Sequence, residues 1–252
     1  AASSLQRARR TVRVLEARGR LGGRLWTKRL WPDRPAVELG AEFIHDCKPA
    51  RDIPELNRTR GRPVNWGRGR WFFDGQVVGK AGASVQRAQE GAWDGWIGRY
   101  PKRTGSVGDV LKTWPRLARQ IAAADVESEY AAAPADLSMG AVYGQWHRWE
   151  DGEGDDFHPK GTYESLVKRL ARRLHIVMDD PVEEVRWSRN SVEVATASGG
   201  RHRARCAIIT LPLGVLRADT VRFTPPLPRR KQVAIRALGF GNVVKVIVRV
   251  KS

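Results

Sequence analysis

Three places in this chain hold residues whose types and spacing could do chemistry. The first is Glu16, which ends the short apolar run Thr11-Val-Arg-Val-Leu15. A carboxylate has two accepting oxygens and so suits two neighbouring hydroxyls, and dinucleotide-binding folds use a strand-end acid in this way on the adenosine ribose. Alone, an acid at a strand end is more often a solvated surface group. The residues that follow shift the balance, because Arg18, Arg20 and Arg24 surround Gly22 and Gly23. Guanidinium groups beside pliant backbone suit a pyrophosphate; a basic surface turn in an Arg-rich chain is the other reading. The second place is Lys245, inside Val243-Val-Lys-Val-Ile-Val248. Period-2 alternation puts it on one face with Val243 and Ile247, where an ammonium needs a partner or a water-filled cavity. A lysine that blocks edge-to-edge pairing is the alternative. The third is His45, which closes the stretch Leu39-Gly-Ala-Glu-Phe-Ile-His45; a lone histidine is as readily an ordinary loop residue.

The elements that must position these groups can be read from pattern. A helix end over residues 3–10 leads into a strand over 11–15, and a turn-rich segment over 18–24 follows. Trp66, Trp71, Phe72 and Phe73 sit among Arg and Gly, and Asp74-Gly75 is a hairpin signal. Residues 84–149 read as helices and loops with Trp93, Trp96, Trp114, Trp146 and Trp149, and Asp151 to Asp156 form an acidic loop. Leu166, Val167, Leu170 and Leu174 have helical spacing, so a helix is expected over 162–174. Strands are expected over 175–178, 182–187, 191–196 and 204–210, with a turn at Ser198-Gly199-Gly200. A helix over 229–237 precedes a last strand over 242–250. The expected class is α/β, more fully a mixed α+β arrangement: a discontinuous Rossmann-like nucleotide-binding domain with an inserted second domain of sheet and helix.

Composition sets limits. The chain has 252 residues, 41% of them hydrophobic, enough for a substantial core and too many for a disordered tail. No apolar run reaches the roughly 20 residues a membrane-spanning helix needs. The first ten residues carry no signal-peptide core and no initiator Met, so processing or a start partway through a gene product is expected. A cytoplasmic location is the default expectation. Cys47 and Cys206 form no metal-binding cluster. The formal charge of +18 could serve a nucleic acid or another anionic partner. The cations are dispersed, over Arg7 to Arg10, Arg58 to Arg70, Arg169 to Arg173, Arg201 to Arg205 and Arg229 to Lys231, and a dispersed charge is a weaker signal than a patch. A basic nucleic-acid-binding module is therefore the less favoured alternative.

Val14-Leu-Glu-Ala-Arg-Gly-Arg-Leu-Gly-Gly-Arg24 resembles the second FAD-binding segment of the flavin-containing amine oxidase family, which includes polyamine oxidases and lysine-specific histone demethylases. Leu39 to His45, Thr210-Leu-Pro-Leu-Gly-Val-Leu216, Phe223-Thr-Pro-Pro-Leu-Pro228 and Leu238-Gly-Phe-Gly-Asn-Val-Val-Lys-Val246 resemble later family segments, in family order. The resemblance is loose over 50–150. It implies FAD as cofactor, with Glu16 on the adenosine ribose and with Arg18, Gly22, Gly23 and Arg24 along the phosphates and flavin side. Gly40, Ala41, Glu42 and Phe43 would run past the isoalloxazine ring, and Val182 would meet adenine through its backbone. Lys245 matches the lysine that approaches flavin N5 through a water, and His45 matches a substrate-recognising histidine of polyamine oxidases. Asp46 stands where the family has a glycine. The implied domains are an FAD-binding part, 1–65 and 155–216, and a substrate-binding part, 66–154 and 217–252.

The reaction implied is oxidation of an amine C–N bond: hydride passes to flavin N5, the imine is hydrolysed and molecular oxygen reoxidises the flavin. A small-molecule amine and oxygen are the expected partners. Rivals are an amino-acid-oxidase-like enzyme of the same flavin superfamily and a non-catalytic relative. A GxGxxG fingerprint belongs about 20 residues before the ribose acid, but only 15 residues precede Glu16 and none form it. The family's closing flavin segment is not seen after Lys245 either. The expectation is a fragment lacking both ends, with weak FAD binding and little turnover.

Overall fold

The computed structural model describes residues 1–45, 53–64, 71–73, 76–78, 104–149 and 156–250; the side chains of 71–73, 76–78, 117 and 145–149 lie outside the description. In chain order the strands are β1 (Arg13–Leu15), β2 (Thr27–Lys28), β3 (Val37–Glu38), β4 (Arg60–Pro63), β5 (Trp71–Phe73), β6 (Gln76–Val78), β7 (Phe157–Pro159), β8 (His175–Val177), β9 (Val182–Trp187), β10 (Val192–Thr196), β11 (Arg201–Ala204) and β12 (Arg222–Thr224). The mixed α/β class is as expected. The chain divides into two compact units, Ala1–Glu42 with Gly161–Phe240, and Phe43–Lys160 with Gly241–Ser252.

In the first unit β1 and β8 pair in parallel, with Arg13 opposite His175 and Leu15 opposite Val177. A four-stranded sheet runs in the order β11-β10-β9-β12, antiparallel except for the parallel β9–β12 pair. The alternation in β10 decides which face turns inward: Val192, Val194 and Thr196 are buried, while Glu193 and Ala195 point outward. Val185, Val192, Val194 and Val221 form the core, with Leu15, Val182, Leu211 and Phe223 packed on it. At the hairpin tip Gly199 takes φ +86°, a conformation that suits glycine. Asp180 closes this end: its carboxylate accepts from the Ser198 amide at 3.0 Å and the Ser198 hydroxyl at 2.8 Å.

The outward face is a ladder of ion pairs. Glu184 meets Arg186 at 3.1 Å and Arg222 at 3.2 Å, and Glu193 meets Arg201 at 2.9 Å and Arg203 at 2.6 Å. The hydrogen bond from Arg186 holds the Glu184 carboxyl below its ordinary range, and that from Arg203 does the same for Glu193. The Ser198 backbone amide lowers Asp180.

The helix Tyr163–Ala171 starts where Thr162 accepts from the Ser165 amide at 3.2 Å and buries Tyr163 and Leu166. It ends three residues before the expected Leu174, because Arg173 turns to φ +67° and leads the chain into β8. The helix Arg229–Ala237 has the expected bounds, opened by Pro228.

The second unit centres on the helices Val107–Leu111, Arg116–Tyr130 and Met139–Trp149. Ser106 and Asp109 form a reciprocal capping box, with the Asp109 amide donating to the Ser106 hydroxyl and the Ser106 amide donating to the Asp109 carboxylate, each at 3.1 Å. Val107, Val110, Leu111, Ala122, Val126, Met139 and Val142 form its core, with Trp114 and Tyr143 packed against it. β4 and β7 pair antiparallel, as do β5 and β6. Asp74-Gly75, Trp66, Trp93, Trp96 and residues 151–155 of the acidic loop lie outside the described residues.

Two expected strands need correction. β11 ends at Ala204, so 205–210 is no ladder strand, and Ile208 and Ile209 are exposed. Residues 242–250 pair with no strand among the described residues. Both segments have strand-forming composition. A strand also needs a neighbour that takes its N–H and C=O groups, and that neighbour cannot be read from the segment itself.

Two outcomes follow from this packing. Leu111→Ala leaves a cavity at a side chain that is 2% exposed and should cost about 2–5 kcal/mol. A lower urea midpoint at unchanged slope checks it. Acid should loosen the four-stranded sheet. A carboxyl whose folded pKa is depressed stabilises fully above its ordinary range, about pH 4–5, and that contribution is lost as pH falls through the depressed values. Circular dichroism against pH should show Glu193→Gln less stable than the native chain at pH 7, with the gap closing on acidification.

Candidate functional site

Glu16 is fixed by backbone on both sides. Its amide donates to the Val177 carbonyl at 2.9 Å, continuing the β1–β8 ladder, and its carbonyl accepts from the Asp180 amide at 3.2 Å. The Arg18 carbonyl accepts from the Asp179 amide at 3.3 Å, so residues 16–18 lie zipped against 179–180. The Glu16 carboxylate is half-buried, and its Oε1 accepts from the Arg18 amide at 3.0 Å. That bond orients the group while Oε2 has no protein donor among the described residues. Val182 begins β9 two residues beyond Asp180, half-buried. The structure thus brings Glu16, Arg18 and the Val182 strand together.

The turn after Arg18 has a defined backbone. Gly22 takes φ +102° and its carbonyl accepts from the Leu25 amide at 2.8 Å. A β-carbon there would meet the Leu25 carbonyl oxygen at 2.8 Å, whereas one on Gly23 would project into open space. The side chains of Arg18 and Arg24 are exposed. Two cations therefore stand beside an open-backed glycine turn, an arrangement that attracts an anion.

The Gly40 segment is stitched directly to this turn. β2 and β3 pair with Thr27 opposite Glu38, the Leu39 amide donates to the Trp26 carbonyl at 2.7 Å, and the Ala41 amide donates to the Arg24 carbonyl at 3.2 Å. Gly40 sits so close that a β-carbon would lie 1.9 Å from the Arg24 carbonyl oxygen. Ala41 and Glu42 are exposed beyond the stitch.

Glu38 supports this arrangement and was missed in the sequence. Its carboxylate accepts from the Thr27 hydroxyl, 2.8 and 2.9 Å from its two oxygens, and from the Tyr163 amide at 2.9 Å. The Thr27 hydroxyl accepts in turn from the Glu164 amide at 2.9 Å. The carboxylate thus sits at the positive end of the helix Tyr163–Ala171. Burial, then the Glu38 charge, push the Tyr163 hydroxyl up to about 12, so it stays neutral. An acid inside the apolar stretch 36–45 was the available signal; its partner lies 125 residues away.

The rest of the segment belongs to the second unit. Ile44 is buried and exchanges backbone bonds with Phe157, at 2.8 and 2.9 Å. Phe43 stacks edge-on against His158 with centroids 5.3 Å apart. His45 Nδ1 lies 2.8 Å from Asp156 Oδ1. An ionised carboxylate only accepts, so Nδ1 donates, which leaves Nε2 of a neutral ring as the acceptor. Asp156, the last residue of the acidic loop, is a second partner that sequence pattern did not reveal. Lys245 and Ile247 are half-buried, while Val243, Val244, Val246, Val248 and Val250 are 70–85% exposed. The alternation expected of Lys245 is present without the ladder expected of a strand, and Val243 does not share its burial.

Among the described residues no cluster of His, Cys, Asp and Glu could hold a metal ion, and no helix is long and apolar enough to cross a membrane.

Comparison with known proteins shows the family. The family model described as flavin containing amine oxidoreductase matches residues 1–53 and 107–252. The chain is 31% identical over 267 residues to lysine-specific histone demethylase 1 homolog 2 of Arabidopsis thaliana, covering 93% of this chain and 34% of that protein. It is 29% identical over 277 residues to probable polyamine oxidase 4 of the same plant, covering 99% and 55%. The chain therefore spans about a third to about half the length of these curated relatives. The cyclohexylamine oxidase of Brevibacterium oxydans IH-35A superposes with a TM-score of 0.71 at 19% identity, over 93% of this chain and 59% of that one; this likeness carries the fold. With the family model matched over most of its length, this chain belongs to the flavin-containing amine oxidoreductase family.

Proposed function

We propose that this chain carries the adenosine- and flavin-facing part of a polyamine-oxidase-like enzyme. The observation that supports it most is the Glu16 carboxylate, oriented by the Arg18 amide at 3.0 Å, with one oxygen left to receive a ribose hydroxyl. FAD fits the residues present: an acceptor for the ribose, exposed Arg18 and Arg24 for the phosphates, and the open face of Gly23 where backbone can approach an anion.

Glu16 would anchor the ribose, Val182 the adenine edge, and Ala41 and Glu42 would border the ring system past the Gly40 stitch. His45, held by Asp156, would present Nε2 to an amine N–H, and Phe43 would add an apolar wall. Lys245 would hold a water on the reacting side. Bound flavin supplies the redox chemistry, taking hydride from the carbon beside the amine nitrogen and passing the electrons on to oxygen. The protein's part is to keep the amine neutral and oriented.

Purified chain should bind added FAD. In a fluorescence titration Glu16→Gln should weaken FAD by about ten- to a hundredfold, the loss of one charge-assisted hydrogen bond. Glu127→Gln, on an exposed helix face, should change nothing. Equal affinity in Glu16→Gln would sink the site assignment.

A further inference from the structure

Arg20 differs from the other two arginines of the glycine turn. Arg18 and Arg24 are exposed, whereas Arg20 is half-buried and bent back onto its own loop. One terminal nitrogen donates to the Gly23 carbonyl at 2.9 Å and the other to the Leu25 carbonyl at 3.2 Å. Its guanidinium carbon lies over the Trp26 ring, 4.8 Å from the centroid. The carbonyl between those two, that of Arg24, accepts from the Ala41 amide at 3.2 Å. Three consecutive carbonyls are thus engaged, two by one rigid fork and the middle one by the Gly40 segment. The next, of Trp26, accepts from the Leu39 amide at 2.7 Å.

This has a consequence for the cofactor-facing side. A turn with φ +102° at Gly22 and +55° at Gly23 could bend in several ways, because glycine imposes little of its own. With its carbonyls gathered inward, the Gly23 edge and the Arg24 side chain are left facing out. A guanidinium spans two carbonyls with parallel donors set by its planar geometry, and an ammonium on a flexible stem does not reproduce that.

We propose that Arg20 is a positioning residue of the flavin site: a fork, braced on Trp26, that sets the shape of the Gly22–Leu25 turn and locks it to Gly40–Glu42, so that Gly23 and Arg24 meet the cofactor. This rests on the flavin reading above. Two of the five N–H donors of Arg20 go to backbone carbonyls, and its part is to shape the turn.

The test compares Arg20→Lys, which keeps the charge and loses the fork, with Arg20→Gln and with Glu16→Gln. In the ligand-free chain, both Arg20 variants should speed amide hydrogen exchange at Leu25 and Ala41 by about tenfold or more, with the Val194 amide in the sheet core unchanged. Unchanged exchange at Ala41 overturns the clamp, and this arm is independent of any flavin binding. Against FAD, both variants should lose about tenfold in affinity, while AMP, followed by chemical shift and relying on Glu16, should bind within about twofold of the native chain. Native FAD affinity in Arg20→Lys would make Arg20 a simple charge and overturn the proposal. Parallel loss of AMP and FAD would make it a general structural residue and do the same. If Glu16→Gln leaves both ligands unaffected, the flavin reading fails, and the exchange arm still decides whether Arg20 holds the turn.

Discussion

The approach of Gly40 to the Arg24 carbonyl oxygen is the constraint on which the rest of the first unit's site depends. A β-carbon would have to occupy a point 1.9 Å from that oxygen, so only glycine lets the two segments share the Ala41–Arg24 and Leu39–Trp26 hydrogen bonds. From this contact the connections radiate. On one side Arg20 gathers the neighbouring carbonyls. On the other, Glu38 next to the stitch reaches the amide at the start of the helix Tyr163–Ala171, where a carboxylate is favoured by the dipole and by amides that lack helical partners. Thr27 takes a second such amide. Two short strands, β2 and β3, thereby fix a turn, a helix start and the exposed Ala41–Glu42 edge.

Charge is arranged differently on the sheet and at the turn. On the sheet, four arginines converge in pairs on Glu184 and Glu193, and half of their charge is met locally. Each pair joins an exposed arginine to a largely covered carboxylate, and the two carboxylates offset two of the four positive charges. At the turn, Arg18 and Arg24 face outward and the nearby acid, Glu16, already accepts from a backbone amide. The formal charge of +18 thus says less than its distribution. Part of it is offset by pairing on the sheet, while Arg18 and Arg24 stand exposed at the turn.

What could be read from the sequence was what is local. β9 and the helix Arg229–Ala237 fall at the expected residues, because alternation and a preceding proline act within a few positions. Glu16 as a strand-end acid was legible for the same reason. The partners that give those residues their geometry were not. Asp156 lies 111 residues from His45 and Tyr163 lies 125 from Glu38, and nothing in either neighbourhood announces the other. Arg20 was visible only as one arginine among three. Its separate role depends on which carbonyls face it, and that is a property of the folded backbone.

The segment around Lys245 shows where local pattern and structure part. Alternating valines promised a strand with the lysine on a buried face, and Lys245 and Ile247 are indeed less exposed than their neighbours. The ladder is missing among the described residues, and Val243 is 76% exposed although it has the same parity as Lys245. The inward lean therefore comes from something other than sheet pairing. One anchor is visible: Gly241 lies so close to the Ala131 carbonyl, at the end of the helix Arg116–Tyr130, that a β-carbon would be 1.9 Å from its oxygen. That contact fixes where the segment departs from the helical core, and with it the register in which Lys245 follows four residues later. The placement of Lys245 thus follows from a glycine packing on a helix end, and the exposed valines beyond it bear less on that placement than their composition suggests.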